Sequence, residues 1–165
     1  MISLYSLSKA YGMASWRVGF LVAPEHLHRD LMKIQDTVVV SGSAISQFVG
    51  LRAMREGRGY CAAHLPSLGR ARKEALARIV AVPDLLEAPP ATGAFYLFVK
   101  VNTGMSAIAL SERLVREHKV AVIPGETFGV TRECWLRIAY GSLREKTAVE
   151  GIDRLITGLR AILAT

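Results

Sequence analysis

The 165-residue chain has little cysteine, few aromatic residues, a shortage of acidic side chains and no long apolar run. Its two cysteines, Cys61 and Cys134, form no C-x-x-C pair, which argues against a disulfide scaffold or a zinc site. The longest uncharged run, residues 37–51, is too short and too rich in serine to cross a bilayer. We therefore expect a reduced, cytoplasmic protein that does not enter a membrane.

The charge balance is basic, with 21 Lys and Arg against 14 Asp and Glu and a net charge of +7. Such an excess can indicate nucleic-acid binding. However, Tyr60 is the only aromatic residue in the basic segment 52–78, and a surface that stacks on bases needs more rings. We interpret these charges as a solvated helix face and predict no nucleic-acid partner.

Apolar residues are abundant. They make up 51% of the chain, and the mean hydropathy of +0.28 is high for a protein of this length. The length suits one domain with a core, or one domain and part of another. Some apolar surface is expected to face another piece of protein.

Strand and helix patterns alternate along the chain, which predicts an α/β or α+β fold. Strands are predicted at residues 2–8, 17–22, 94–101, 120–123 and 135–140. Helices are predicted at residues 25–38, 43–55, about 65–82 and 106–118, and again after a capping-box spacing of Ser142 and Glu145. Pro24 and Ser43 mark two helix starts, and Gly57 and Gly59 mark an end.

The helical periodicity also predicts core residues. Pro66 limits where the third helix starts. Core candidates in the last three helices are Leu65, Leu68, Leu76, Ile79 and Val82; then Ile108, Leu110, Leu114 and Val115; then Val149, Ile152, Leu155, Ile156, Leu159, Ile162 and Leu163.

The residues that carry chemistry lie in the stretch SLSKAYGMASWRVG, residues 6–19. The amine of Lys9 reacts covalently only when deprotonated, and a nearby cation such as Arg17 can lower its pKa. Ser6, Ser8 and Arg17 are residue types that bind phosphate. Together they suggest a phosphorylated carbonyl compound held by the lysine, of which pyridoxal phosphate is the usual example. Judged by composition alone, a solvated loop lysine is the more common explanation.

The order of the residues is more specific than the composition. It resembles the cofactor-lysine signature of class I/II aminotransferases, which are pyridoxal-phosphate enzymes of the aspartate-aminotransferase fold: Ser6-x-Ser8-Lys9-x-x-Gly12-Met13-x-x-x-Arg17-Val18-Gly19. One position departs, because Ser15 stands where the family usually has glycine or another small residue. Three later segments resemble further motifs of the family, in the expected order: residues 90–96, 120–129 and 135–139.

The resemblance implies a role for each matched residue. Lys9 would hold pyridoxal 5'-phosphate as a Schiff base and then move the substrate proton. Ser6 and Arg17 would hold the cofactor phosphate, and Arg137 would grip the substrate α-carboxylate as a bidentate pair. The implied partners are an amino acid, a 2-oxo acid and a second copy of the chain.

The resemblance also implies a domain division. Residues 1–58 would be a remnant of the large cofactor-binding domain, residues 59–83 a connecting helix, and residues 84–165 the small domain. In this family the other cofactor contacts, including the Asp paired with the pyridine nitrogen, precede the lysine. Only eight residues precede Lys9 here. We therefore expect the C-terminal portion of an aminotransferase, with little activity in isolation. The alternative is a non-catalytic folded remnant that binds itself or a partner.

Overall fold

Helices and strands alternate along the chain in a computed structural model, which describes residues 1–141 and 144–164. The strands are β1 (Ser3–Ser6), β2 (Gly19–Val22), β3 (Leu86–Glu87), β4 (Tyr96–Val101), β5 (Ile123–Pro124) and β6 (Trp135–Ala139). The helices are α1 (Leu7–Ala10), α2 (His28–Val38), α3 (Ala44–Glu56), α4 (Arg58–Val80), α5 (Ala107–His118) and α6 (Glu145–Leu163). The predicted mixture of helix and sheet is confirmed.

The chain divides into two compact units, Met1–His64 and Leu65–Thr165. In the first unit, β1 and β2 pair antiparallel, from Ser3 opposite Val22 to Ser6 opposite Gly19. A Cβ at position 19 would lie 2.4 Å from the carbonyl oxygen of Tyr5, so only glycine allows this approach. The first strand is shorter than predicted, because α1 begins at Leu7.

The helices of the first unit start near the predicted positions. A 3-10 turn, Glu25–Leu27, follows Pro24 and leads into α2. Ser43 is the residue before α3, but its side chain makes no capping hydrogen bond, contrary to the prediction. Gly57 ends α3 with a positive φ of 62°. Gly59 does not act as a stop, because it lies inside α4.

The long helix α4 starts earlier than predicted and contains Pro66 within its length. Proline removes one backbone N–H from a helix, but tertiary packing of the following turns can offset that loss. The buried stripe of these turns is made of Ala71, Ala75 and Ile79. Leu65, predicted to be in the core, is 60% exposed. The core face of α4 is thus built largely from alanine, which a search for large apolar residues overlooks.

The second unit contains a four-stranded antiparallel sheet in the order β3-β4-β6-β5. Alternation along β4 and β6 sends one set of side chains into the core and the next set to the opposite face. The core set from these two strands is Leu97, Val99, Val101, Leu136 and Ile138. It forms one cluster with the buried residues of α5 and α6 and of the second-unit part of α4.

The predicted core positions of the last two helices are mostly confirmed. On α5, Leu110 and Leu114 are fully buried. Ile108 and Val115 are 49% and 47% exposed, so their assignment to the core was wrong. They lie a full two turns apart on the neighbouring face of the helix. On α6, the buried large side chains are the expected Ile152, Leu155, Leu159 and Ile162.

The predictions for β5 and for the start of α6 have different outcomes. The strand expected at residues 120–123 is reduced to the two-residue β5. The expected capping residue Ser142 lies outside the described residues, and α6 follows Arg144, whose side chain makes no capping hydrogen bond. No helix in the described part of the chain is long and apolar enough to cross a membrane.

Candidate functional site

The lysine of the sequence motif lies on α1, a single helical turn directly after β1. Ser6 occupies the position before the helix, and its hydroxyl oxygen accepts a hydrogen bond from the Ser8 N–H at 3.1 Å. Serine is favoured at this position because its oxygen replaces a missing intrahelical acceptor. The turn is closed by bonds to the Leu7 carbonyl from the N–H groups of Tyr11 and Met13. Lys9 is therefore held on an ordered turn.

Arg17 lies at the other end of the same connection, just before β2. Its backbone is left-handed, with φ 51°, and its Nη1 donates to the Ala14 carbonyl oxygen at 2.8 Å. A non-glycine residue in this region costs about 1–3 kcal/mol and persists only where its surroundings impose it. The N–H of Leu7 donates to the Val18 carbonyl at 3.3 Å, which closes the base of the connection.

Ser6, Lys9 and Arg17 thus lie in or next to the connection between β1 and β2, at one end of this strand pair. The set suits the phosphorylated carbonyl cofactor that the motif implies. The Ser6 oxygen already accepts a bond, which leaves its own hydrogen to donate. The Arg17 guanidinium has five N–H donors, and the bond to Ala14 uses one of its two Nη groups. A hydroxyl, a guanidinium and an amine at one end of a strand pair match a phosphate and an aldehyde.

Two helices of the first unit support this connection. A Cβ at Gly50 of α3 would lie 3.1 Å from Leu7 Cδ1, so the helix packs closely on the turn that carries Lys9. Cys61 of α4 donates its thiol hydrogen to the Ala10 carbonyl oxygen, with the sulfur 3.1 Å away. The rings of Tyr11 and Tyr60 stack at 5.9 Å. These supports cannot be predicted from the sequence, because no motif joins residues 50, 60 and 61 to residues 7–11.

Arg137 belongs to the second unit, at the centre of its sheet on β6. It pairs with Phe98 of β4 on one side and with Ile123 of β5 on the other. Its guanidinium carbon lies 5.0 Å from the ring centroid of Tyr96 and 5.0 Å from that of Phe128. Both distances are typical of cation–π contacts.

The Nε of Arg137 is buried, and within residues 1–141 and 144–164 it has no hydrogen-bond acceptor. A buried guanidinium donor without a partner is unusual in a folded protein and calls for an explanation. An external carboxylate is the acceptor that matches the planar fork of arginine best. The geometry therefore agrees with an anion-binding role for this side chain.

Aromatic residues surround Arg137 on the sheet face that points away from the core. The rings of Phe98 and Trp135 stack at 5.1 Å, and Phe98 meets Phe128 edge-on at 6.0 Å. Tyr96 and Phe98 are only half-buried on this face. Strand alternation explains this, because Leu97 and Val99 take the core positions between and beyond them.

Phe128 is carried by the 3-10 turn Gly125–Phe128, which begins with Gly125 against Trp135. A Cβ at position 125 would lie 2.7 Å from Trp135 Cβ. In the same turn, Glu126 accepts a hydrogen bond at Oε1 from the N–H of Ala107, the first residue of α5, at 3.0 Å. Burial and the charge of Glu126 raise the pKa of the Cys134 thiol to about 11.

Comparison with known families tests the resemblance found in the sequence. The model of the aminotransferases of class I and II matches residues 1–155. The chain belongs to this family. The aminotransferase family is pyridoxal-phosphate dependent, so the cofactor predicted from the lysine motif is confirmed.

Individual relatives agree with the family. The chain is 33% identical over 153 residues to the aspartate aminotransferase of Pyrococcus horikoshii, with 91% of this chain and 39% of the relative aligned. The crystal structure of an aromatic aminotransferase from the same organism superposes with a TM-score of 0.86 at 27% identity, covering 99% of this chain and 44% of that one.

A third match concerns the fold alone. It is the α-aminoadipate aminotransferase of Thermus thermophilus complexed with N-(5'-phosphopyridoxyl)-L-leucine, with a TM-score of 0.87 at 24% identity. It covers 99% of this chain and 42% of that one. The chain spans about 40% of the length of the curated relatives that it matches. The predicted fold class, the C-terminal part of a pyridoxal-phosphate transferase of this type, is confirmed.

Proposed function

We propose that this chain supplies the cofactor lysine and the substrate-carboxylate arginine of an amino-acid aminotransferase. The enzyme transfers an amino group between an amino acid and a 2-oxo acid. One observation supports the proposal most directly: Ser6, Lys9 and Arg17 lie in one ordered connection at the end of the β1–β2 pair. Family membership supports the same assignment.

The first unit provides the cofactor side of the proposed reaction. When bound, pyridoxal phosphate supplies an electron sink that weakens a bond at the amino acid Cα. Ser6 and Arg17 donate hydrogen bonds to phosphate oxygens and fix the position of the group. The Nζ of Lys9 would hold the aldehyde end of the group and would take up and return the Cα proton of the substrate.

The second unit provides the substrate side. The guanidinium of Arg137 binds the α-carboxylate with two parallel N–H···O bonds, which orients the Cα substituents. The rings of Tyr96 and Phe128, whose centroids lie 5.0 Å from the guanidinium carbon, shield the guanidinium from competing water. The unpartnered Nε of Arg137 supports this role, since a carboxylate would provide the acceptor.

Covalent labelling tests the proposed lysine. The 165-residue chain is mixed with pyridoxal phosphate, reduced with borohydride and digested for peptide mapping. We expect the label on Lys9, which disappears in Lys9→Ala and remains in the matched control Lys33→Ala. Label on Lys33, Lys73 or Lys100, or none on Lys9, would contradict the assignment.

Self-association is the second candidate function, and exposed apolar side chains of the first unit favour it. Leu4 is 78% exposed, Phe48 74% and Val38 72%. Exposed apolar groups of this kind mark interaction surfaces. A homo-oligomer, in the cytoplasm, is compatible with the enzymatic proposal. A chain that self-associates and takes no label at Lys9 would instead support the non-catalytic alternative.

The domain division also stays a proposal. Residues 1–58 would belong to the cofactor domain, 59–83 to a connecting helix and 84–165 to the small domain. Limited proteolysis tests it, because cleavage sites concentrate at exposed segments between domains. Stable fragments that begin near residue 84 would support this division.

A further inference from the structure

Arg137 binds a carboxylate well only if its planar fork points in one direction. Its guanidinium carbon is 5.0 Å from the centroids of both Tyr96 and Phe128. Tyr96 is on β4, adjacent to β6 in the same sheet, so strand pairing fixes its position. Phe128 has no such support, because it ends the 3-10 turn Gly125–Phe128. The orientation of Arg137 therefore depends on whatever holds this turn.

Packing in the core does not fix the position of Phe128. Its side chain is 47% exposed, and its ring meets Phe98 edge-on at 6.0 Å. A half-exposed aromatic ring gains little from burial alone. The contact with the Arg137 guanidinium is therefore a larger share of the interaction energy of the Phe128 ring.

The side chain of Glu126 ties the turn to α5, in addition to the packing of Gly125 against Trp135. Its Oε1 accepts the Ala107 N–H at 3.0 Å, at the first residue of α5. Helix N-termini carry unpaired N–H groups and a partial positive charge, so a carboxylate there forms a charge-assisted bond. The hydroxyl of Ser106 already accepts from Ala109 at 3.2 Å, so Glu126 serves a different N–H of the same helix.

The anchor itself is rigid. The helix α5 is fixed in the core by Leu110 and Leu114, both fully buried. Within the turn, the N–H of Gly129 donates to the Glu126 carbonyl at 3.0 Å, and that of Val130 to the Gly125 carbonyl at 3.1 Å. The contacts form a continuous chain from the core through α5, Glu126 and the turn to Phe128.

We infer that Glu126 and Phe128 are positioning residues that fix the direction of the Arg137 guanidinium for carboxylate binding. The inference rests on the proposed role of Arg137. Glu126 acts through the turn, and Phe128 acts through the contact of its ring with the guanidinium. Neither residue touches the reacting atoms.

The test follows the Nε–H of Arg137 by NMR in the ¹⁵N-labelled 165-residue chain, with the signal assigned by its loss in Arg137→Lys. Glu126→Ala should speed hydrogen exchange at this Nε–H by about tenfold, the scale of a lost charge-assisted bond. Phe128→Leu keeps the bulk without the ring and should speed it about two- to fivefold. Glu126→Gln keeps the acceptor oxygen, and Phe128→Tyr keeps the ring, so both should stay near wild type.

Glu117→Ala is the matched control, because it removes a carboxylate from the other end of α5, where it pairs with Arg113. It should leave the Arg137 signal unchanged. Backbone amide signals of β4 and β6 report whether each variant is folded. Unchanged exchange in folded Glu126→Ala and Phe128→Leu would overturn the inference.

Titration with sodium propionate separates this inference from the proposed function. If the wild-type Nε–H shifts on binding, Glu126→Ala and Phe128→Leu should raise the dissociation constant by about twofold or more. Equal dissociation constants in all variants would overturn the positioning role. A wild-type signal that ignores propionate while its exchange still responds to the variants would refute the carboxylate role and leave the positioning supported.

Discussion

At the scale of single residues, Arg137 lies within cation–π distance of two aromatic rings and keeps a buried Nε without an acceptor among the described residues. A planar guanidinium interacts with aromatic rings and also donates hydrogen bonds from its edge. An edge with two parallel donors distinguishes a carboxylate from other anions by geometry as well as charge. Lysine has the same charge but no such edge.

The first prediction follows from that difference. Arg137→Lys should raise the KM for the amino acid by about 30- to 150-fold, corresponding to about 2–3 kcal/mol for a lost charge-assisted pair. Cofactor affinity should change little. Steady-state kinetics on a catalytically active preparation measure the KM for the amino acid. Absorbance titration with pyridoxal phosphate measures the cofactor affinity. Arg132→Lys, an exposed neighbour, is the control. An unchanged KM in Arg137→Lys excludes the carboxylate role.

A second prediction concerns the Cys134 thiol, whose pKa is raised to about 11 by burial and by the charge of Glu126. A nearby negative charge disfavours the thiolate, so removing it lowers the pKa. Glu126→Gln should therefore bring the pKa of Cys134 below about 11, though burial keeps it above its ordinary value. The ¹³Cβ shift of Cys134, followed against pH, measures it. Glu133→Gln should have no such effect, and an unaltered curve for Glu126→Gln would contradict the electrostatic cause.

At the scale of elements, each helix presents one face to the core, and neighbouring positions differ sharply. On α5, Leu114 is 0% exposed and Ile108 49% exposed. Leu114→Ala should lower the free energy of unfolding by about 2–5 kcal/mol, because it leaves a cavity. Ile108→Ala should change it by less than about 0.5 kcal/mol. Urea unfolding measures both, followed by Trp135 fluorescence in a Trp16→Phe background. An equal loss of unfolding free energy in the two variants would show that Ile108 is a core residue.

The β1–β2 pair gives another prediction at this scale. Gly19→Ala brings a Cβ to 2.4 Å from the Tyr5 carbonyl oxygen. We expect a loss of about 1–3 kcal/mol from overpacking, and weaker labelling of Lys9 because the strands separate. Gly59→Ala is the control, because nothing lies within 4 Å of a Cβ there. Thermal unfolding, followed by Trp16 fluorescence in a Trp135→Phe background, compares the two. A Gly19→Ala variant as stable as Gly59→Ala would show that the strands tolerate the added methyl group.

Much of this architecture was predictable because its signals are local. The stripe on α6 repeats every three or four residues, and residues at that spacing share one face of a helix. The start of α4 was not predictable, because Pro66 is a local stop signal that later packing overrides. Its buried stripe of Ala71 and Ala75 gives almost no hydropathy contrast.

The residues of the candidate site also differ in how well the sequence predicts them. Ser6, Lys9 and Arg17 lie within one short stretch of sequence, so a motif can join them. The supports of Arg137 come from distant segments. Tyr96 reaches it through the register of β4 and β6, and Phe128 through a turn held at α5. Register and turn anchoring depend on the whole unit, and no local pattern reports them.

At the scale of the whole molecule, exposed apolar side chains are distributed unevenly. In the part of the chain that the structure describes, most of the large ones belong to the first unit. The second unit instead encloses one large core cluster. We therefore expect association between copies to proceed through residues 1–64.

This expectation gives a fifth prediction. The 165-residue chain should elute larger than a monomer on a sizing column, because burying exposed apolar surface is favourable. The double variant Leu4→Ser and Phe48→Ser should elute closer to the monomer. Val80→Ser, exposed but in the second unit, should not. Sedimentation at several concentrations checks the assignment. A wild-type monomer at all concentrations would refute it.

The outer strands of the two sheets differ in a way that bears on aggregation. In the four-stranded sheet, β3 and β5 are two residues long each, and β5 ends with Pro124, which has no backbone N–H to donate. They offer an incoming strand almost no row of open hydrogen-bonding groups. Strands β1 and β2 are twice as long and form a sheet of only two strands. In a heated or concentrated sample, residues 3–6 and 19–22 therefore offer an added strand more open hydrogen-bonding groups than the outer strands of the sheet that carries Arg137.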